Sequence, residues 1–177
     1  MSEPYQLFVL IPEGLLAQSG VRATHTIILD AGGVIDEDST LVLNNSDEKQ
    51  DMLPTFIVEE DTALDKLSMW PTLGSISYSM PEGMATVSYL STLANGHIYA
   101  IEISVLPRAF ERSCSASNWY CALGTRLHNT LRAKRTIFGW GLDYKGFDWD
   151  KELSRLNNSD YFGTYSLLDL GKTTSQG

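Results

Sequence analysis

The stretch Ile28-Leu29-Asp30-Ala31-Gly32-Gly33-Val34-Ile35 has the layout of a catalytic motif: an apolar run, a carboxylate, then two glycines. A carboxylate at a strand end is exposed enough to act as a nucleophile, and glycines let a ligand approach the backbone. Two acidic triplets follow, Asp36-Glu37-Asp38 and Glu59-Glu60-Asp61. Neither has the ligand spacing and central glycine of a calcium-binding loop, so both read as solvated charge that can act together on a basic partner. His25, His97 and His128 are scattered, with no serine or cysteine motif beside them to make a triad. Cys114 and Cys121 are separated by six residues. On one helix they stand too far apart for a disulfide, and they match no zinc spacing, so they read as reduced thiols. The run from Phe138 to Asp150 mixes Trp140, Tyr144 and Trp149 with three aspartates. Rings and carboxylates together suit sugar binding or cleavage. They equally suit a core plug or the aromatic anchors of a protein interface.

The elements that must position these groups are read from periodicity and breakers. Residues 5–11, 24–29 and 40–44 are apolar, β-rich runs and are predicted strands, with turn chemistry at 31–39 between the last two. Residues 61–69 are a predicted helix, with Thr62 as its cap and Asp65 completing a capping box. Ile76, Tyr78 and Met80 alternate with serines, Pro81-Glu82-Gly83 turns the chain, and 85–93 and 98–106 flank Asn95-Gly96, the preferred pair for a two-residue hairpin. That turn sets Leu90 opposite Ile101 and Ser88 opposite Ile103, with Tyr99, Ile101, Ile103 and Val105 on one face. A helix capped at Ser117 or Asn118 is predicted to run to Arg135 on an apolar stripe of Tyr120, Leu123, Leu127 and Leu131. A shorter helix is predicted at 148–156 and a last strand at 161–170. The expected fold is α+β: a single domain over residues 1–170, with an antiparallel sheet of about five or six strands, two or three helices on one face, and a flexible tail at 171–177.

Charge is sorted along the chain. Residues 1–65 hold thirteen carboxylates against Arg22 and Lys49, a balance of −11, whereas residues 66–177 hold eleven cations and nine carboxylates, a balance of +2. An acidic surface repels nucleic acid and anionic membrane and steers basic proteins toward itself. Arg126, Arg132, Lys134 and Arg135 are expected to pair with the acidic third, within the molecule or across a homodimer. No apolar run approaches the roughly 20 residues that cross a bilayer, and a signal peptide is not expected, which points to the cytoplasm.

The Ile28–Ile35 stretch resembles the first motif of haloacid-dehalogenase-like hydrolases. That resemblance implies an aspartate nucleophile at Asp30, with nearby backbone groups helping to bind phosphate. The remaining motifs of that family have no counterpart in this chain. In general character, a small acidic α+β domain is similar to bacterial toxin-immunity and inhibitor proteins. The expected function is therefore an acidic protein-binding module that masks a basic partner such as a toxin, through Asp36, Glu37, Asp38, Glu59, Glu60, Asp61, Trp140, Tyr144 and Trp149, with no cofactor or metal and no catalytic residue. The alternatives are a hydrolase using Asp30 and a carbohydrate-binding module using the Trp140–Trp149 loop.

Overall fold

The computed structural model describes residues 4–11, 15–36, 40–44, 52–56, 59–69, 73–91, 97–106, 115–140 and 166–171. In chain order the elements are β1 (Tyr5–Leu10), α1 (Ala17–Asp30), β2 (Val34–Ile35), β3 (Thr40–Asn44), β4 (Met52–Phe56), α2 (Glu60–Met69), β5 (Leu73–Met80), β6 (Gly83–Ser91), β7 (Ile98–Val105), α3 (Ser115–Leu131), β8 (Arg135–Trp140) and β9 (Ser166–Leu170). The strands form one antiparallel sheet in the order β4-β3-β5-β6-β7-β1-β8-β9, with β2 beside β5. The fold is α+β.

One face of the sheet carries the main core. Leu7 and Val9 on β1, Ile76 and Tyr78 on β5, Val87 and Tyr89 on β6, Ile101 and Ile103 on β7, and Phe138 on β8 are all buried. Val21 and Ile28 of α1, Leu64 and Leu67 of α2, and Tyr120 and Leu127 of α3 close over them. Each large apolar side chain withdrawn from water contributes about 1.5–3 kcal/mol. Gly20 lets α1 approach the sheet, because a Cβ there would collide with Ile98. Register across β1, β6 and β7 keeps the pattern in phase: Val87 and Leu7 both face Ile103, and Tyr89 and Val9 both face Ile101.

Four expectations are corrected. Within the α+β, antiparallel architecture that was expected, the described residues place nine strands in the sheet, more than the five or six expected. β4 contains Pro54 and sits at the sheet edge, where a missing donor is tolerated, and β2 is two residues long, too short to show alternation. Residues 24–29 are not a strand but the last turns of α1. The β-branched run Thr-Ile-Ile masks a helical stripe of buried Ala17, Val21, Thr24 and Ile28, at spacings of four, three and four. α3 ends at Leu131 rather than running to Arg135. Arg132 takes a left-handed backbone (φ 52°), and the Lys134 N–H donates to the Leu10 carbonyl at 2.8 Å, which starts β8.

The fourth correction is the β6–β7 register. Tyr89, not Leu90, pairs with Ile101, and Glu102 faces Ser88. An irregularity between Leu90 and Ser91 breaks any count made back from the turn, and a one-residue slip exchanges faces. Tyr89 therefore enters the main core and Leu90 goes to the opposite face. Ile101, Ile103 and Val105 keep the buried positions expected of them. The Asn95-Gly96 turn and the helix expected at 148–156 lie outside the described residues.

Candidate functional site

The densest polar arrangement among the described residues lies where α1 meets the start of α2. Glu60 and Asp61 occupy the first turn of α2, where carboxylates complement the helix dipole. Glu59 precedes them; its carbonyl accepts the Ala63 N–H at 3.1 Å and its Oε2 accepts the Thr62 hydroxyl at 3.4 Å. Thr62 thus sits inside the helix rather than at its cap. From α1, Arg22 donates through Nη1 to Asp61 Oδ1 at 3.2 Å and through Nη2 to Asp65 Oδ1 at 2.7 Å. Asp65, then Asp61, holds the guanidinium pKa above its already high ordinary value. Asp61 remains 85% exposed despite the bond.

Beneath this surface the buried His25 joins three elements. Its Nδ1 lies 2.7 Å from the Tyr78 hydroxyl on β5, and its Nε2 bonds Glu60 Oε1. A carboxylate only accepts, so Nε2 carries a proton and donates to Glu60. Burial first, and the Glu60 charge second, raise the Tyr78 pKa, so the phenol keeps its proton and can donate it to Nδ1. Carboxylate, imidazole and phenol line up in a relay whose phenol end is fully buried and whose carboxylate end is exposed. Its work is positional: it fixes the acidic start of α2 to the sheet.

Nearby, the buried Tyr89 hydroxyl makes no well-formed hydrogen bond and interacts only weakly with the Tyr78 and Thr24 hydroxyls. Tyr89→Phe is expected to be neutral or stabilising by up to about 1 kcal/mol, whereas Tyr78→Phe, which strips His25 of its donor, costs about 1 kcal/mol or more. Urea midpoints of the two variants check this; a larger loss for Tyr89→Phe contradicts it.

Asp30 is the last residue of α1, and this corrects the strand-end geometry that the hydrolase resemblance requires. Gly32 takes φ +94°, its N–H donates to the Leu29 carbonyl at 3.0 Å, and the Gly33 N–H donates to the Ile28 carbonyl at 2.9 Å. These two bonds are a Schellman helix stop. The glycine pair ends the helix. Asp30 Oδ2 accepts from Arg126 Nη2 on α3 at 2.8 Å, an exposed pair between the acidic third and the basic helix. Arg135, also expected to pair with the acidic third, instead binds Asp169 through two bonds, 3.1 and 3.0 Å, in a mostly buried β8–β9 pair.

Asp36 is half-buried after β2, its N–H on the Ser77 carbonyl at 3.2 Å. Trp140 is the last residue of β8, opposite Tyr5. Glu37, Asp38, Tyr144 and Trp149 lie outside the described residues, as does Cys114. The Cys121 Sγ reaches the Leu167 carbonyl at 3.7 Å, and burial raises its thiol pKa, away from nucleophilic use. The structure thus gathers Glu59, Glu60 and Asp61 with Arg22, His25 and Asp65. Arg22, His25 and Tyr78 escape a reading that takes α1 as a strand; on a helix, Val21, Thr24, His25 and Ile28 share one face. Among the described residues no three His, Cys, Asp or Glu side chains converge on a metal position. No helix there is long and apolar enough to cross a membrane.

No family matches this chain by sequence, and no curated protein does. Among solved structures, 80% of the chain aligns with 88% of a chain from the toxic C-terminal tip of CdiA from Pseudomonas aeruginosa in complex with immune protein, at a TM-score of 0.48 and 8% identity. A Pseudomonas aeruginosa T6SS protein aligns with 85% of the chain over 43% of its own length, at a TM-score of 0.45 and 10% identity.

Proposed function

We propose that this protein is an acidic binding module that masks a basic protein partner in the cytoplasm, in the manner of an immunity-type inhibitor. The observation that carries the reading is the −11 balance of residues 1–65 together with the exposed carboxylates of that third. At the start of α2, Glu59 and Asp61 are exposed, and Arg22 is divided between Asp61 and Asp65 rather than cancelling the cluster. The relay through His25 supports the same reading: a carboxylate held in place loses less side-chain freedom when a cation binds it. Asp36, Glu37 and Asp38 extend the negative field, and Trp140, Tyr144 and Trp149 are the proposed aromatic anchors.

The experiment is capture of the partner from the native host, followed by comparison of the wild type with a variant carrying Asp36→Lys, Glu37→Lys and Asp38→Lys. The expected result is a basic partner whose association the variant slows at least about tenfold, since long-range charge acts mainly on the on-rate. Equal association by both proteins overturns the reading.

A further inference from the structure

A buried titratable group stands directly beneath the exposed carboxylates of α2. His25 of α1 is only 5% exposed, yet its Nε2 bonds Oε1 of Glu60, the first residue of α2, whose side chain is 54% exposed. Among the described residues the second Glu60 oxygen has no bond, so a cation can reach this carboxylate from solvent while the imidazole holds it from below. The other charges around this point are already placed. Arg22, one turn back on α1, is divided between Asp61 and Asp65 of α2. Arg126 of α3 is on Asp30, at the far end of α1. Glu59 is exposed before α2 and accepts the Thr62 hydroxyl. From the sheet, the titratable groups among the described residues on this side are phenols, Tyr78 on β5 and Tyr89 on β6. Glu60 is thus the charged group within hydrogen-bond distance of His25.

The hydroxyls behind His25 accommodate both charge states of the ring. With the ring neutral, the Nε2–H donates to Glu60 and Nδ1 accepts from the Tyr78 hydroxyl, 2.7 Å away. With the ring charged, an Nδ1–H donates to the Tyr78 oxygen instead. The Tyr78 proton then turns toward the Tyr89 hydroxyl, which interacts with both Tyr78 and Thr24, and Thr24 Oγ1 ends the chain on the Gly20 carbonyl at 2.7 Å. Hydroxyl protons rotate to suit their neighbours, so neither state strands the ring. The two states differ at the surface. A neutral ring leaves Glu60 its full negative charge, whereas an imidazolium cancels it. A cation seated on the outer side of Glu60 stands about 5 Å from the ring nitrogen, and like charges that close disfavour each other. Histidine is the side chain whose ordinary charge change falls between pH 5 and 8.

We infer that the Glu60–His25 pair makes docking of a cationic partner proton-linked: a cation on Glu60 expels a proton from His25 to the solvent, so binding strengthens as the pH rises through the range in which the ring loses its charge. Above that range the ring is neutral with or without the partner, and the dependence flattens. This rests on the basic-partner reading above and adds regulation to it.

The test uses N-acetylated octalysine as the probe, at low salt, with wild type, Glu60→Gln and His25→Gln between pH 5.5 and 8. The wild type is expected to bind at least about threefold more weakly at pH 5.5 than at pH 8, the effect of one unit charge about 5 Å away in water. Saturating probe is expected to move the transition of the His25 ring NMR signals to lower pH. Both variants are expected to lose this pH dependence down to the background that His97 and His128 supply in all three proteins. Glu60 is half exposed, so Glu60→Gln keeps the fold, and it and the wild-type ring signals decide the matter should His25→Gln fail to fold. A His25 transition that bound probe leaves in place, or a pH dependence that Glu60→Gln retains in full, overturns the inference and leaves the basic-partner reading intact, since the probe still binds. No binding of the probe at low salt overturns both.

Discussion

Ile101→Asp is expected to leave the protein unfolded at room temperature. Ile101 is fully buried on β7, between cross-strand partners Tyr89 on β6 and Val9 on β1. Aspartate there loses the burial of a large apolar side chain, about 1.5–3 kcal/mol, and sets an unpaired carboxylate in the core. The second cost is several kcal/mol more, whether the group stays charged or takes up a proton. The sum rivals the total stability of an ordinary domain, about 5–15 kcal/mol. Ser104→Asp, three residues further along β7 at a half-buried position on the opposite face, is the control and should melt close to the wild type. Far-UV circular dichroism and thermal melts decide it. A melting point for Ile101→Asp within a degree or two of the wild type would show that this strand does not face the core.

The second large effect is a steep loss of stability in alkali. Tyr78, Tyr89 and Tyr120 are fully or almost fully buried, and burial raises the pKa of each phenol above its ordinary value of 10.0. Half-buried Tyr99 shifts the same way. Below pH 10 these phenols are protonated in both folded and unfolded chains, and their contribution is fully present. Above it the unfolded chain releases protons that the folded chain keeps. Stability then falls by about 1.4 kcal/mol per pH unit for each phenol, about 4 kcal/mol per unit for the three buried ones. Cooperative unfolding is expected within about two units above pH 10, with tyrosinate absorbance rising together with the loss of circular dichroism. Tyrosinate absorbance rising well before the structure melts would contradict it.

Much of the sheet is legible in the sequence because its strands obey simple patterns. β5 alternates apolar residues with serine, and Pro81-Glu82-Gly83 supplies the turn into β6. β1 and β7 are apolar, β-rich runs that each stop at a proline. What fails is where two signals compete. The run from Thr24 to Leu29 is β-branched enough to pass for a strand, and only a window reaching back to Ala17 shows the helical stripe. The strand reading of that run also underlies the hydrolase resemblance. A carboxylate followed by two glycines after a strand suggests catalysis, whereas the same residues after a helix are a Schellman stop. It also hides the site, since Arg22 and His25 meet α2 only if α1 is a helix. β8 is lost for a different reason: no proline or glycine separates it from α3, and the left-handed Arg132 that makes the break has no sequence signature. The acidic character of the first 65 residues, by contrast, is written in the sequence outright, and the structure adds where part of it is fixed: Glu60 on His25, and Asp61 and Asp65 on Arg22.

The central claim is that this acidic third draws in a basic partner. Stopped-flow association of the purified partner with this protein, as salt is raised, tests it most directly. The Debye length shrinks from about 10 Å at 0.1 M salt to about 3 Å at 1 M. An encounter steered by charge slows steeply over that range, while dissociation changes little. The predicted result is an on-rate that falls at least about tenfold across it, and that for the Asp36→Lys, Glu37→Lys, Asp38→Lys variant is already slow at low salt. An on-rate indifferent to salt and equal in wild type and variant would contradict the account.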